Sequence, residues 1–143
     1  MPIIEWLSLR PLKGAGGVVL KTCLIVDDSA VIRKVARRIL SGFQFAISES
    51  DYGHDALIKC RSQMPDIILL DHVLPDMSAI EFIENIKRRS PQNMPSILLC
   101  ICEFDVPRIM KAKRAGASGY VLKPFTRETL LASFHSQIAD LAA

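Results

Sequence analysis

Four side chains in three short segments of this 143-residue chain are of types that could do chemistry together. The adjacent carboxylates Asp27 and Asp28 follow one apolar run, Asp71 ends a second, and Lys123 follows a third. Carboxylates held close together repel one another and raise one another's pKa, a cost that a hard cation such as Mg²⁺ relieves with oxygen ligands. A carboxylate nucleophile, a divalent cation and a lysine together form a site that can receive a phosphoryl group.

Each segment on its own has an ordinary structural interpretation. An Asp-Asp-Ser sequence after a strand is a common start of a helix, with Ser29 as the N-cap, and a lone aspartate is common in loops. A glycine-rich loop, which would cradle the phosphates of a nucleotide at this place, is absent from the sequence. The chemical interpretation therefore depends on whether the elements bring the three segments to one place.

The elements that would position these residues form a regular alternation. Short apolar or β-branched runs predict strands over residues 22–26, 45–49, 66–70, 96–101 and 118–122. Helical patterns follow each run, with predicted starts after Ser29, near Gly53, at Ala79, near Asp105 and after Thr126. Five βα units predict an α/β fold with a doubly wound parallel sheet and helices on both faces. Ligands of such folds bind at the carboxyl ends of the strands, where all three segments lie.

The composition is that of a single globular domain. Hydrophobic residues make up 50% of the chain and charged residues 23%, which excludes a disordered protein. The net charge of +3 is too small to predict nucleic-acid binding in cis. No apolar stretch reaches the roughly 20 residues of a membrane span, and no export signal is visible. Four cysteines without a C-x-x-C pair predict reduced thiols and a cytoplasmic location.

The motifs resemble the receiver domain of two-component response regulators, in particular single-domain receivers of the chemotaxis type. The resemblance rests on residues 24–29, 65–71 and 115–125, and it extends over about residues 21–141. It implies a (βα)5, flavodoxin-like three-layer sandwich with strand order 2-1-3-4-5. Residues 21–143 are then the receiver domain. Residues 1–20 are predicted to be a flexible N-terminal extension, and we expect any output to act through a separate partner.

The resemblance also implies roles for individual residues. Asp71 would accept the phosphoryl group, and Lys123 would pair with the phosphoryl oxygens. Asp28 and Asp71 would bind Mg²⁺ directly, Asp27 would bind it mainly through water, and the backbone carbonyl of Val73 would be a further ligand. The chain would not be an enzyme beyond its own phosphorylation and dephosphorylation.

One position departs from the family pattern. The family has a switch serine or threonine at the end of the fourth strand, where this chain has Ile101, which carries no hydrogen-bond donor. A shift of one residue would bring Cys100 or Cys102 there, and a thiol is only a weak donor. The aromatic switch position is retained as Tyr120.

Two hypotheses about function follow, together with a third from another class. The favoured one is a phosphorylatable receiver with altered output, and the alternative is a phosphorylation-independent adaptor that uses the receiver fold for docking. A flavodoxin-like cofactor binder is the third, and it would be coloured or absorb as a nucleotide.

The expected partners are proteins. The phosphodonor would be a histidine kinase or a histidine phosphotransfer protein, and the downstream target is a protein that the sequence leaves open. Basic residues of the first helix could meet an acidic donor, although a solvated helix face is favoured: Arg33, Lys34, Arg37 and Arg38. His72, directly after Asp71, is predicted to be a solvent-exposed histidine rather than a metal ligand.

Overall fold

The computed structural model describes residues 21–43 and 45–142, with side chains as far as residue 137. The strands are β1 (Lys21–Val26), β2 (Phe45–Ser50), β3 (Ile67–Asp71), β4 (Ser96–Ile101) and β5 (Gly119–Leu122). The helices are α1 (Ala30–Leu40), α2 (Gly53–Ser62), α3 (Ala79–Arg89), α4 (Val106–Ala115) and α5 (Arg127–Ala142), and a 3-10 turn (Ser41–Phe43) follows α1. The predicted extension over residues 1–20 lies outside the described residues.

The five strands form one parallel sheet in the order β2-β1-β3-β4-β5, which confirms the predicted fold and strand order. The order reverses between β1 and β3, so the crevice for a ligand lies at their carboxyl ends. There Val26 is in register with Leu70, and Asp71 with Cys100. The ends of β1, β3 and β4 therefore lie side by side.

Two apolar layers enclose the sheet. Alternate side chains of the central strands, such as Leu24 and Ile68, pack on α2, α3 and α4, whereas Ile25 and Leu69 pack on α1 and α5. Both faces of the central strands are buried, which explains why their sequences are continuously apolar. Strand β2 lies at the edge and alternates between buried and exposed residues. Within the described residues, no helix is long and apolar enough to cross a membrane.

Local capping fixes where most helices begin. The side chains of Ser29, Ser78 and Asp105 each accept a hydrogen bond from a backbone N–H in the first turn of α1, α3 and α4. Thr126 does the same before α5, through a 3.2 Å bond from the N–H of Thr129. Helix α4 ends at Gly116, whose φ of 134° suits glycine.

Candidate functional site

The three predicted carboxylates lie together where β1 and β3 end. Asp27 follows β1, Asp71 is the last residue of β3, and these strands are hydrogen-bonded neighbours. One carboxylate oxygen from each of Asp27, Asp28 and Asp71 lies within 4.8 Å of the other two. Asp27 is 2% exposed and Asp71 6%, whereas Asp28 is exposed at the rim. A small acidic pocket thus opens to solvent on the Asp28 side.

Lys123 crosses from the end of β5 to the two buried carboxylates. Its Nζ lies 2.9 Å from Oδ1 of Asp71 and 3.1 Å from Oδ2 of Asp27. The backbone N–H of Lys123 donates to the carbonyl of Ile101 at 2.7 Å, which places the lysine across the end of β4. One ammonium group therefore bridges both carboxylates.

The charges in the pocket do not cancel. When ionised, three carboxylates against one lysine leave two uncompensated negative charges. Burial raises the pKa of Asp27, and Asp71 raises it further, although the backbone N–H of Ser29 opposes them with a 2.9 Å hydrogen bond. Burial would lower the pKa of Lys123, but its bonds to Asp71 and Asp27 outweigh burial and raise that pKa.

A largely buried lysine thus bridges two aspartates at the ends of neighbouring parallel strands. The response regulator receiver domain family matches residues 23–135. The chain belongs to this family. It is 29% identical over 117 residues to the chemotaxis protein CheY of Bacillus subtilis, covering 80% of this chain and 95% of that protein.

Two further proteins support the assignment. Thermotoga maritima CheY is 32% identical over 107 residues, which cover 73% of this receiver and 87% of the relative. Among solved structures, the chemotaxis response regulator CheY4 of Vibrio cholerae superposes with a TM-score of 0.78 at 28% identity. That match covers 83% of this receiver and 99% of CheY4. The resemblance to chemotaxis-type receivers is thereby confirmed.

The remaining predicted residues lie in β4, in β5 and in the loop after β3. Val73 lies two residues past Asp71 in the loop before α3, where it forms an isolated bridge with Ser78. Ile101 is fully buried, on the sheet face covered by α2, α3 and α4. Tyr120 packs on the same face, and its ring centroid lies 5.7 Å from that of the exposed Phe104.

The thiol next to Ile101 is not an evident substitute for a hydroxyl. Cys100 belongs to the opposite apolar layer, with α1 and α5. Its Sγ makes a long contact of 3.9 Å to the carbonyl of Leu98, and burial raises its pKa to about 12. Cys102 is exposed, beyond the end of β4.

Two arginines of α1 bond Glu49, and one of them, Arg33, also supports the pocket. Arg33 donates through Nη1 to the carbonyl of Asp27 at 2.6 Å and through Nε to Glu49 at 3.0 Å, and Arg37 bonds the other oxygen of Glu49 at 2.6 Å. Partial burial would raise the pKa of Glu49, but the two arginines outweigh burial and lower it. The favoured interpretation of a solvated face is therefore wrong for Arg33, whose side chain is only 18% exposed, and agrees with the exposure of Lys34, Arg37 and Arg38.

His72 also differs from expectation, because its ring is not simply exposed. Only 21% of the side chain is accessible, and Nδ1 lies 3.5 Å from Oδ1 of Asp71. Nδ1 is buried, and within the part of the chain that the structure describes it has no hydrogen-bond partner. Sequence reasoning missed this contact because two consecutive strand residues normally point to opposite faces.

Proposed function

We propose that this receiver takes a phosphoryl group from a phosphohistidine donor onto Asp71 and signals through protein contacts. The observation that carries the proposal is the bridge from Lys123 to both buried carboxylates, beside the exposed Asp28. A purely structural ion pair needs one carboxylate, and a third acidic group next to it would only add repulsion. An excess of carboxylates over cations is expected where a divalent cation and a phosphoryl group bind reversibly.

The chain's own residues have distinct parts in the transfer. A carboxylate oxygen of Asp71 attacks the phosphorus, so that a P–O bond forms while the donor's P–N bond breaks. The donor imidazole leaves with the electron pair and takes up a proton. Lys123 stays protonated and faces the charge on the phosphoryl oxygens, which is the main catalytic need of a phosphoryl transfer. No other substrate is turned over in this proposal.

The donor set suits Mg²⁺. Oxygens on opposite sides of a Mg²⁺ ion are about 4 Å apart, close to the 4.8 Å limit within which the three carboxylates lie. Asp28 and Asp71 would hold the ion directly, Asp27 through water, and the carbonyl of Val73 would be a further ligand. When bound, Mg²⁺ neutralises charge on the phosphoryl oxygens.

A face next to the pocket is available for the phosphodonor. On α1, Val31 is 70% exposed and Val35 lies one turn further, with Lys34 and Arg38 exposed beside them. An apolar stripe with basic edges suits a donor surface that is apolar with acidic edges. We propose a histidine kinase or a histidine phosphotransfer protein for this role. We also propose a cytoplasmic location, which free cysteines support.

Phosphorylation is testable on the purified protein. Incubation with Mg²⁺ and acetyl phosphate should add the mass of one phosphoryl group to the intact protein. Asp71→Asn should abolish the gain, and Asp51→Asn should keep it, because Asp51 is an exposed carboxylate after β2 that does not belong to the cluster. If the gain persists in Asp71→Asn, the acceptor is another residue.

The alternative is an adaptor that works without phosphorylation. One observation favours it: Ile101 presents only hydrocarbon where the family has a switch hydroxyl, and it is fully buried. Absence of any mass gain with small-molecule donors and with phosphohistidine proteins would support the adaptor over the phosphorylated receiver.

A further inference from the structure

We propose that Nδ1 of His72 is a hydrogen-bond donor to the phosphoryl group on Asp71, which makes His72 a further catalytic residue of this receiver. The inference rests on the proposed function, because it assigns a role within the same site. It follows from one orphaned atom. Nδ1 is buried without a hydrogen-bond partner among the described residues, although nearly all buried polar atoms in proteins have one.

The position of the ring points to the phosphoryl group as the missing partner. Nδ1 lies 3.5 Å from Oδ1 of Asp71, too far for a strong hydrogen bond to the bare carboxylate. A phosphoryl group on Asp71 adds three acceptor oxygens beyond the carboxylate. The backbone N–H of His72 donates to the carbonyl of Cys100 at 3.2 Å, so the main chain at the ring is fixed while the ring itself can turn.

Space for this turn is present. The ring lines a cavity of about 370 Å³ between α3 and α4, whose other walls include Val73, Ile80 and Pro107. The ring therefore borders open space into which it can turn about its side-chain bonds. The neutral tautomer with hydrogen on Nδ1 is sufficient, so the role requires no change of protonation.

The side chains next to Asp71 supply few hydrogen-bond donors for a phosphoryl group. Lys123 is shared between two carboxylates, and no hydroxyl or amide lies at the end of β4, where Ile101 and Cys100 follow each other. Asp71 is in register with Cys100, so the next positions along the two strands are His72 and Ile101. By strand register, position 72 therefore follows beside position 101, the residue that lacks a donor.

Two substitutions separate donation from packing. His72→Leu fills the space without a donor, and His72→Asn keeps an N–H donor near the position of Nδ1. We expect Leu to lower the initial rate of phosphorylation by acetyl phosphate about tenfold, since a hydrogen bond to a charged group is lost, and Asn to stay within about threefold of the wild type. His54→Asn is the matched control, because His54 is exposed at the start of α2 and should keep the wild-type rate.

A spectroscopic measurement tests the contact directly. Beryllofluoride serves as a stable mimic of the phosphoryl group, and the ¹⁵N resonance of Nδ1 in His72 should shift when beryllofluoride binds with Mg²⁺. The inference is overturned if the resonance does not move, or if His72→Leu keeps the wild-type rate. Equal losses of rate in the Leu and Asn variants would also overturn it, because they indicate a packing role.

The two proposals fail in different ways. A wild-type protein that neither gains phosphate nor binds beryllofluoride overturns both. If the wild-type protein is phosphorylated on Asp71 but the ¹⁵N resonance of His72 and the rate of His72→Leu do not change, only the role of the histidine is overturned.

Discussion

At the scale of residues, the site depends most on Lys123. It is the one described cation that contacts both Asp27 and Asp71, and its Nζ lies about equally far from each. Removing it leaves two buried carboxylates facing each other, so that one of them would tend to hold a proton. A protonated carboxylate is both a poorer nucleophile and a poorer ligand.

Lys123→Met should therefore lower the rate of phosphorylation of Asp71 about a hundredfold, in line with the loss of one electrostatic donor at a reacting centre. Methionine keeps the length of the side chain without its charge. The rate is measured by intact mass with acetyl phosphate at saturating Mg²⁺, and the exposed Lys34→Met is the control because this small donor does not use the α1 face. A Lys123→Met protein that reacts at the wild-type rate would show that the lysine is only structural.

At the scale of elements, the loop between β3 and α3 is held against the start of α2. Helix α2 begins at Gly53 without a side-chain cap from Tyr52. Asp76, in the loop between β3 and α3, caps it instead: its two oxygens accept from the N–H groups of Gly53 and His54 at 2.8 Å each. A Cβ at position 53 would lie 2.6 Å from Cγ of Met77, so a larger residue than Gly53 would displace that methionine side chain. The loop that follows Asp71 is thereby fastened to α2.

Asp76→Ala should lower the free energy of unfolding by about 1 kcal/mol, the usual worth of a helix cap. Burial would raise the pKa of Asp76, but the N–H donors of His54 and Gly53 outweigh it and lower that pKa. Because the pKa of Asp76 is lower in the folded state, its ionised carboxylate stabilises the fold fully above the ordinary pKa. This stabilisation is lost as the pH falls through the pKa of the folded state.

Urea unfolding at about pH 7 and about pH 3 measures the free energy of unfolding of both proteins. The difference in this free energy between the wild type and Asp76→Ala should be smaller at the lower pH. Asp51→Ala, an exposed carboxylate after β2, should leave stability unchanged at both pH values. If Asp76→Ala lowers the free energy of unfolding equally at both pH values, the charge of Asp76 does not contribute to the cap.

Most elements could be predicted because their signals are local. Apolar runs, capping side chains and Gly116 each lie within a few residues of the element end or strand that they predict. The ends of the observed strands differ from the predicted ones by one residue at most. The convergence of Asp27, Asp71 and Lys123 follows from parallel topology alone. Contacts between distant segments were not predictable, such as Asp76 with α2, because the sequence does not show which way a side chain points.

At the scale of the whole molecule, the small net charge of +3 hides an uneven distribution. The acidic pocket gathers three carboxylates at one edge of the sheet, and basic side chains lie on the surrounding helices, among them Lys34 and Arg38 on α1. Repulsion within the pocket opposes folding in the absence of a cation, so binding of Mg²⁺ should be linked to global stability.

Mg²⁺ should therefore raise the melting temperature, with a stabilisation of about 2.7 kcal/mol at a concentration one hundred times its Kd. Thermal unfolding followed by circular dichroism measures the shift, with NaCl added to match ionic strength. Asp28→Asn should remove most of it at little cost to the fold, because Asp28 is exposed. An equal shift in Asp28→Asn and wild type would place the ion elsewhere.

The position of β1 in the sheet also bears on how the chain is made. β1 is synthesised before both of its neighbours, and it cannot be paired on its second edge until β3, which ends at Asp71, has been made. Every strand pair is parallel, so each one closes only after a long intervening segment. During that interval an apolar strand is open to wrong partners. Lys21 at its start and Asp27 and Asp28 at its end place charges on both flanks, which makes the carboxylates of the pocket gatekeepers against aggregation before they meet Lys123.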